Sequence, residues 1–124
     1  MKPKLLVIDD ETGVLEMISG HFSLRGFEVY TAGDGGEGIE RCAAVHPDVI
    51  LLDLKMKELD GDKAMPKLRQ LAPDATLIVV SACQDEIVQR RIRGLGADTY
   101  FEKPVSLTEL ERFIKHSLKR ISPL

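Results

Sequence analysis

Asp9, Asp10 and Glu11 follow one another directly after an apolar run at residues 5–8, and Asp53 follows a second apolar run at residues 49–52. A serine and a lysine stand at equivalent places further on, Ser81 after residues 77–80 and Lys103 after the stretch TYFE. Two like charges about 4 Å apart repel by roughly 4 kcal/mol at an effective dielectric of about 20, so acids gathered in one place need a proton or a cation among them. Hard carboxylate oxygens with positions left for water suit Mg²⁺ better than a transition metal. Helix capping is the plainer use for Asp9, Asp10 and Glu11, because acids are favoured at helix N-termini. Capping gives no reason for Asp53 and Lys103 to join them.

The elements that must position these residues alternate in period. Residues 5–8, 49–52 and 77–80 are short, branched and continuously apolar, as expected of strands covered on both faces. FEVYT (27–31) and TYFEK (99–103) mix apolar and polar positions, which suits the edges of the same sheet. Helical spacing fills the intervals. Leu15, Ile18 and Phe22 share a face with Gly26 as C′ residue; Asp34 and Glu37 form an N-terminal cap ahead of Ile39, Cys42 and Val45, with Pro47 closing the segment. Leu68 and Leu71 mark a third helix, expected to start late or irregularly because of Pro66, and Ile87, Val88 and Ile92 mark a fourth before Gly94. Ser106 and Glu109 make a capping box ahead of Leu110, Phe113, Ile114 and Leu118.

Five strand–helix rounds with right-handed crossovers give an α/β fold, a doubly wound five-stranded parallel sheet of flavodoxin-like (βα)5 type. With the three apolar strands central, the strand order is 2-1-3-4-5, and ligands belong beyond the carboxyl ends of strands one and three. That crevice receives Asp9, Asp10 and Asp53, with Ser81 and Lys103 arriving from the neighbouring strands. Residues 1–124 are expected to form a single domain.

VIDDE (7–11), ILLDLKM (50–56), DG (60–61), VVSA (79–82) and GADTYFEKP (96–104), in this order and over nearly the whole chain, resemble the motif set of the response-regulator receiver domain of two-component signalling. The resemblance implies a chemotaxis-regulator-like switch that accepts a phosphoryl group on Asp53 from the phosphohistidine of a sensor histidine kinase or phosphotransfer protein. It further implies that Asp10 and Asp53 ligate Mg²⁺ with the backbone carbonyl of Lys55, that Asp9 acts through water, and that Ser81 and Lys103 contact the phosphoryl oxygens. Ser81 and Tyr100 would then form the switch, and the Lys103–Pro104 peptide is commonly cis in this family. A carboxylate suits the acceptor role when metal and ammonium neutralise the transferring group. Such a domain is not an enzyme but takes part in its own phosphorylation and slowly loses the group. Ser81 read without the family is a helix N-terminal residue, and Tyr100 a core residue at a sheet edge.

The readout surface implied is the fourth helix, fifth strand and fifth helix, where Arg90, Arg91, Arg93, Lys115, Lys119 and Arg120 make a basic region. Converting a mostly inactive population to a mostly active one takes about 5.5 kcal/mol. One phosphoryl group supplies part of that, so a downstream effector, a fused output domain or a homodimer formed on phosphorylation is expected to contribute. The pattern departs from the family at Lys57, where proline is usual, while Lys55 and Cys83 beside the site are placed to tune the phosphoryl lifetime.

Competing activities fit less well. An aspartyl-phosphate hydrolase needs a second acid two residues beyond the nucleophile, where this chain has Lys55, and a flavin carrier needs a phosphate loop where this chain has DDETG. A receiver-like interaction module that is never phosphorylated is the remaining alternative. The net charge of −3 gives no basic surplus for nucleic acid; residues 1–60 carry 6 Lys and Arg against 12 Asp and Glu, and residues 61–124 carry 11 against 8. Cys42 and Cys83 make neither a zinc motif nor a disulfide framework, and no signal peptide or membrane span is present, so a reduced, cytoplasmic setting is expected. His21, His46 and His116 read as surface or capping residues. No output segment follows KRISPL, which fits a stand-alone receiver or one domain of a longer protein.

Overall fold

The computed structural model describes residues 1–54, 61–82 and 84–121. Five strands, β1 (Lys4–Ile8), β2 (Glu28–Ala32), β3 (Val49–Asp53), β4 (Thr76–Ser81) and β5 (Thr99–Glu102), alternate with five helices. These are α1 (Thr12–Ser23), α2 (Gly35–Val45), α3 (Gly61–Leu71), α4 (Glu86–Gly94) and α5 (Leu107–Ile121). All pairings are parallel and the order is β2-β1-β3-β4-β5, as the apolar content of the strands predicts. Every residue of β3 and β4 is buried, whereas β2 and β5 are mostly half-exposed.

Alternation along the central strands divides the interior into two layers. Leu5, Val7, Leu51 and Ile78 face α1 and α5, meeting Phe22, Leu110 and Ile114. Leu6, Ile8, Leu52 and Val79 face the other way, meeting Cys42 of α2, Met65 and Leu68 of α3 and Ile92 of α4. The phase of the helices follows from their sequence spacing, with one exception. Ile87, expected on the apolar face of α4, lies in its first turn and is 73% exposed.

Local signals set most boundaries. Asp34 Oδ1 accepts from the Glu37 N–H at 2.8 Å, and Ser106 Oγ accepts from the Glu109 N–H at 3.3 Å, as their cap spacings predict. After α1, Gly26, three residues beyond the last helical residue, has φ +89° and the Phe27 N–H closes on the Phe22 carbonyl at 3.1 Å in a Schellman turn. The late start expected for α3 is not observed: it begins at Gly61 and carries Pro66 inside its second turn, where the missing N–H removes one bond of the helical ladder. Among the histidines, His46 caps α2 with φ 56°. His21 is more than a surface residue, since its Nε2 lies 2.9 Å from Glu111 Oε1 and so bridges α1 to α5.

Candidate functional site

Asp53 is the last residue of β3, and Asp9 follows β1 at the same edge of the sheet. Strand direction alone brings them together, because β1 and β3 are parallel neighbours. The Asp9 N–H donates to the Ala32 carbonyl at 3.0 Å, and Asp9 Oδ1 accepts the Glu11 N–H at 2.9 Å, fixing the turn that opens α1. Capping therefore accounts for one oxygen of Asp9. The α1 cap residue itself is Glu11, which makes no side-chain cap bond, and Asp53 Oδ2 accepts from Lys103.

Lys103 reaches the same place from β5. Its N–H extends the β4–β5 ladder by donating to the Ser81 carbonyl at 2.9 Å, and its ammonium lies 3.0 Å from Asp53 Oδ2 and 3.9 Å from Asp9 Oδ2. The peptide that follows, to Pro104, is cis, as the family resemblance implies. Asp9 and Asp53 are 4% and 3% exposed, while Asp10 opens to solvent. Carboxylate oxygens of Asp9, Asp10 and Asp53 all lie within 4.8 Å of one another. Three hard anionic donors at that separation, one of them facing water, fit a divalent cation with aqua ligands.

The electrostatics follow from this crowding. Burial pushes the Asp9 carboxyl up to about 6, aided by the neighbouring Asp53 charge and opposed by the Glu11 N–H and Lys103. Lys103 is also partly desolvated, which disfavours its charge, yet its hydrogen bond to Asp53 and the charges of Asp53, Asp9 and Glu11 outweigh that and hold its pKa above the ordinary lysine value. A carboxyl that holds its proton up to about pH 6 marks a cluster in which one ammonium does not fully offset the crowded acids.

Ser81 ends β4, is 2% exposed and stands opposite Glu102 in register, so it belongs to the sheet; the α4 cap is Asp85, whose Oδ1 accepts the Ile87 N–H at 2.8 Å. This removes the helix-terminal reading of Ser81. Tyr100 is half-buried, paired with Val79 and packed on the layer that holds Ile92 of α4, outside the acidic cluster. Lys55, Lys57 and Cys83 fall outside the described residues. The basic residues Arg90, Arg91, Arg93, Lys115 and Lys119 are exposed, although Lys115 is paired with Glu111 at 2.8 Å; the Arg120 side chain falls outside the description.

The sequence gives no sign of an apolar cleft of about 480 Å³ beside the acids, walled by Val14, Met17 and Ile18 of α1 and by Pro104 and Val105. It forms where the start of α1 stands away from the segment after β5, a separation that no residue pattern encodes. No helix among the described residues is long and apolar enough to cross a membrane.

Comparison with known proteins agrees with this architecture. The transcriptional regulatory protein PrrA of Mycobacterium leprae is 40% identical over 120 residues, which is 95% of this chain and 51% of PrrA. The regulatory protein AtoC of Escherichia coli is 35% identical over 118 residues, 94% of this chain and 25% of AtoC. The chain thus spans about half the length, or less, of these curated relatives. Among solved structures, the receiver domain of the Francisella response regulator 1452 superposes with a TM-score of 0.90 at 30% identity, covering 98% of this chain and 100% of that one. A CheY-like response regulator receiver domain protein from Methanospirillum hungatei gives 0.92 at 27% identity, with 97% and 96% coverage. Residues 5–115 match the sequence family described as the response regulator receiver domain, and it is to this family, a signalling module of two-component systems, that the chain belongs.

Proposed function

We propose that the chain is a phosphorylation-dependent switch in which Asp53 is the acceptor, and that residues 1–124 act as one receiver unit. The observation that carries this reading is the meeting of Asp53 and Lys103, separated by 50 positions in sequence, at 3.0 Å inside a cluster of acids that fits a dication. A sensor histidine kinase or phosphotransfer protein presents a phosphohistidine at the open edge of the sheet. An Asp53 carboxylate oxygen forms the new P–O bond as the P–N bond breaks, and the imidazole leaves with the bonding electron pair and takes a proton from water. Lys103 and Ser81 hold the phosphoryl oxygens. Asp10 and Asp53, with the Lys55 carbonyl that the family resemblance implies, would hold Mg²⁺ while Asp9 acts through water, and the ion would supply charge neutralisation on the transferring group. Later attack of water on phosphorus breaks the acyl-phosphate bond slowly and restores Asp53.

The transferred group draws Ser81 inward and makes room for Tyr100, altering the surface of α4, β5 and α5 that a cytoplasmic effector, an attached output domain or a second copy reads. Intact-mass analysis after incubation with acetyl phosphate and Mg²⁺ tests the assignment. Wild type gains one phosphoryl mass and Asp53→Asn gains none. An unmodified wild-type chain, or an adduct retained by Asp53→Asn, overturns the reading.

A further inference from the structure

At the end of the sheet remote from the acids, one guanidinium ties together two connecting segments. Arg69, in the last turn of α3, donates from Nη1 to the carbonyls of Pro73 at 3.2 Å and Ala75 at 2.7 Å. From Nη2 it donates to the Gly96 carbonyl at 2.6 Å and to Asp98 Oδ2 at 3.1 Å. Asp98 Oδ2 in turn accepts the Leu77 N–H at 2.8 Å. Pro73 and Ala75 lie between α3 and β4, Leu77 is the second residue of β4, and Gly96 and Asp98 lie in the turn between α4 and β5. A planar five-donor group is the side chain able to hold that many acceptors at once.

The turn is shaped around this arginine. Gly96 has φ +119°, a conformation that L side chains rarely adopt, and a Cβ built there would lie 3.3 Å from Arg69 Nε and 3.4 Å from its Cγ. The Ala97 N–H closes on the Ile92 carbonyl at 3.3 Å, so the end of α4 is wound tightly into the clamped turn. The other end of α4 is held differently. Asp85, Glu86 and Ile87 are exposed, and the first fully buried side chain of the helix is Ile92, two residues from its last.

We propose that Arg69 is the fixed pivot of the switch. It fastens the α4–β5 turn to α3, so rearrangement at the acidic site displaces the Ser81 end of α4 and dies out before Gly96. The pivot rests on the phosphoryl-switch reading given above, and it makes Arg69 a positioning residue with no contact to the reacting atoms.

The test uses the full chain, ¹⁵N-labelled, with acetyl phosphate and Mg²⁺ as the probe and intact mass as a parallel measure of Asp53 modification. In phosphorylated wild type, amides of residues 84–88 shift several-fold more than those of residues 95–97. In Arg69→Gln the adduct still forms but the gradient flattens, residues 95–97 moving as much as the start of α4. Asp98→Asn, which keeps the three carbonyl bonds, flattens it less. A uniform response along α4 in the modified wild type overturns the pivot and leaves Asp53 phosphorylation standing, and this measurement needs no variant to fold. A folded Arg69→Gln with the wild-type gradient also overturns it. Absence of any adduct in wild type overturns the phosphorylation reading and the pivot together.

Discussion

A carboxylate 4% exposed next to a second carboxylate is costly to ionise, and Asp9 shows the consequence in its pKa of about 6 against an ordinary 3.8. The folded state binds this proton more tightly than the unfolded chain does. The resulting stabilisation is complete below pH 3.8 and is lost as pH rises through 6. Asp9→Asn, which keeps the shape without the charge, is therefore expected to stabilise the metal-free protein near neutral pH by about 1–3 kcal/mol, since a tenfold change in proton affinity is about 1.4 kcal/mol. Below pH 3.8 the gain disappears. Urea unfolding at the two pH values checks this, and an Asn variant no more stable than wild type near neutrality refutes it. Lys103→Met has the opposite sign: with the ammonium gone, Asp53 and Asp9 lose a shared cation 3.0 and 3.9 Å away. A loss of about 1–3 kcal/mol is expected near neutral pH, shrinking as Asp9 takes up its proton through pH 6; the same titration measures it. Asp9, Asp53, Ser81 and Lys103 were legible in the sequence because each stands at the end of a strand, where chain direction decides which edge it reaches. Arg69 and His21 were not, because their partners Asp98 and Glu111 depend on which turn or helix a side chain meets.

Helices and strands were readable wherever an apolar period or a cap residue marked them, and less so where tertiary contact decides. Pro66 argued for a shortened α3, yet the helix spans Gly61–Leu71, because burial of Ala64, Met65 and Leu68 against the sheet outweighs one missing bond. Ile87 continued the apolar stripe of α4 but stands in a first turn that no element among the described residues covers. The close approach of α2 to β1 was invisible for the same reason. A Cβ built on Gly38 would lie 2.5 Å from Ile8 Cδ1 and 2.9 Å from Ile8 Cγ1. In an open helix Gly→Ala gains about 1 kcal/mol. Here overlap dominates, and Gly38→Ala is expected to cost about 1–3 kcal/mol. Ile8→Val removes the nearer atom, so the penalty is smaller in that background, and a double-mutant cycle on unfolding midpoints measures the coupling. Additive effects of the two changes mean that α2 does not bear on β1 in this way.

On the scale of the whole molecule, a single sheet separates two apolar layers, and its carboxyl edge collects side chains from the ends of four strands. The acidic cluster exists only when β1 and β3 are paired in register. An unfolded chain has no such site, so cation binding adds directly to folding stability. Mg²⁺ at 100 times its dissociation constant is expected to raise unfolding stability by about 2.7 kcal/mol, and a chelator removes the gain. Asp10 separates this effect from ordinary folding energy. It is the exposed member of the cluster, so Asp10→Asn leaves metal-free stability within about 0.5 kcal/mol of wild type while abolishing most of the Mg²⁺ increment. Leu52→Ala gives the converse. Leu52 is fully buried on the layer facing α2 and α3, so it loses about 2–5 kcal/mol yet keeps the increment, provided its register with Ile8 and Val79 persists. Thermal unfolding across a Mg²⁺ series resolves the two cases: an increment that survives Asp10→Asn places the cation elsewhere, and one that vanishes in a folded Leu52→Ala shows that the edge needs the full core to hold its geometry.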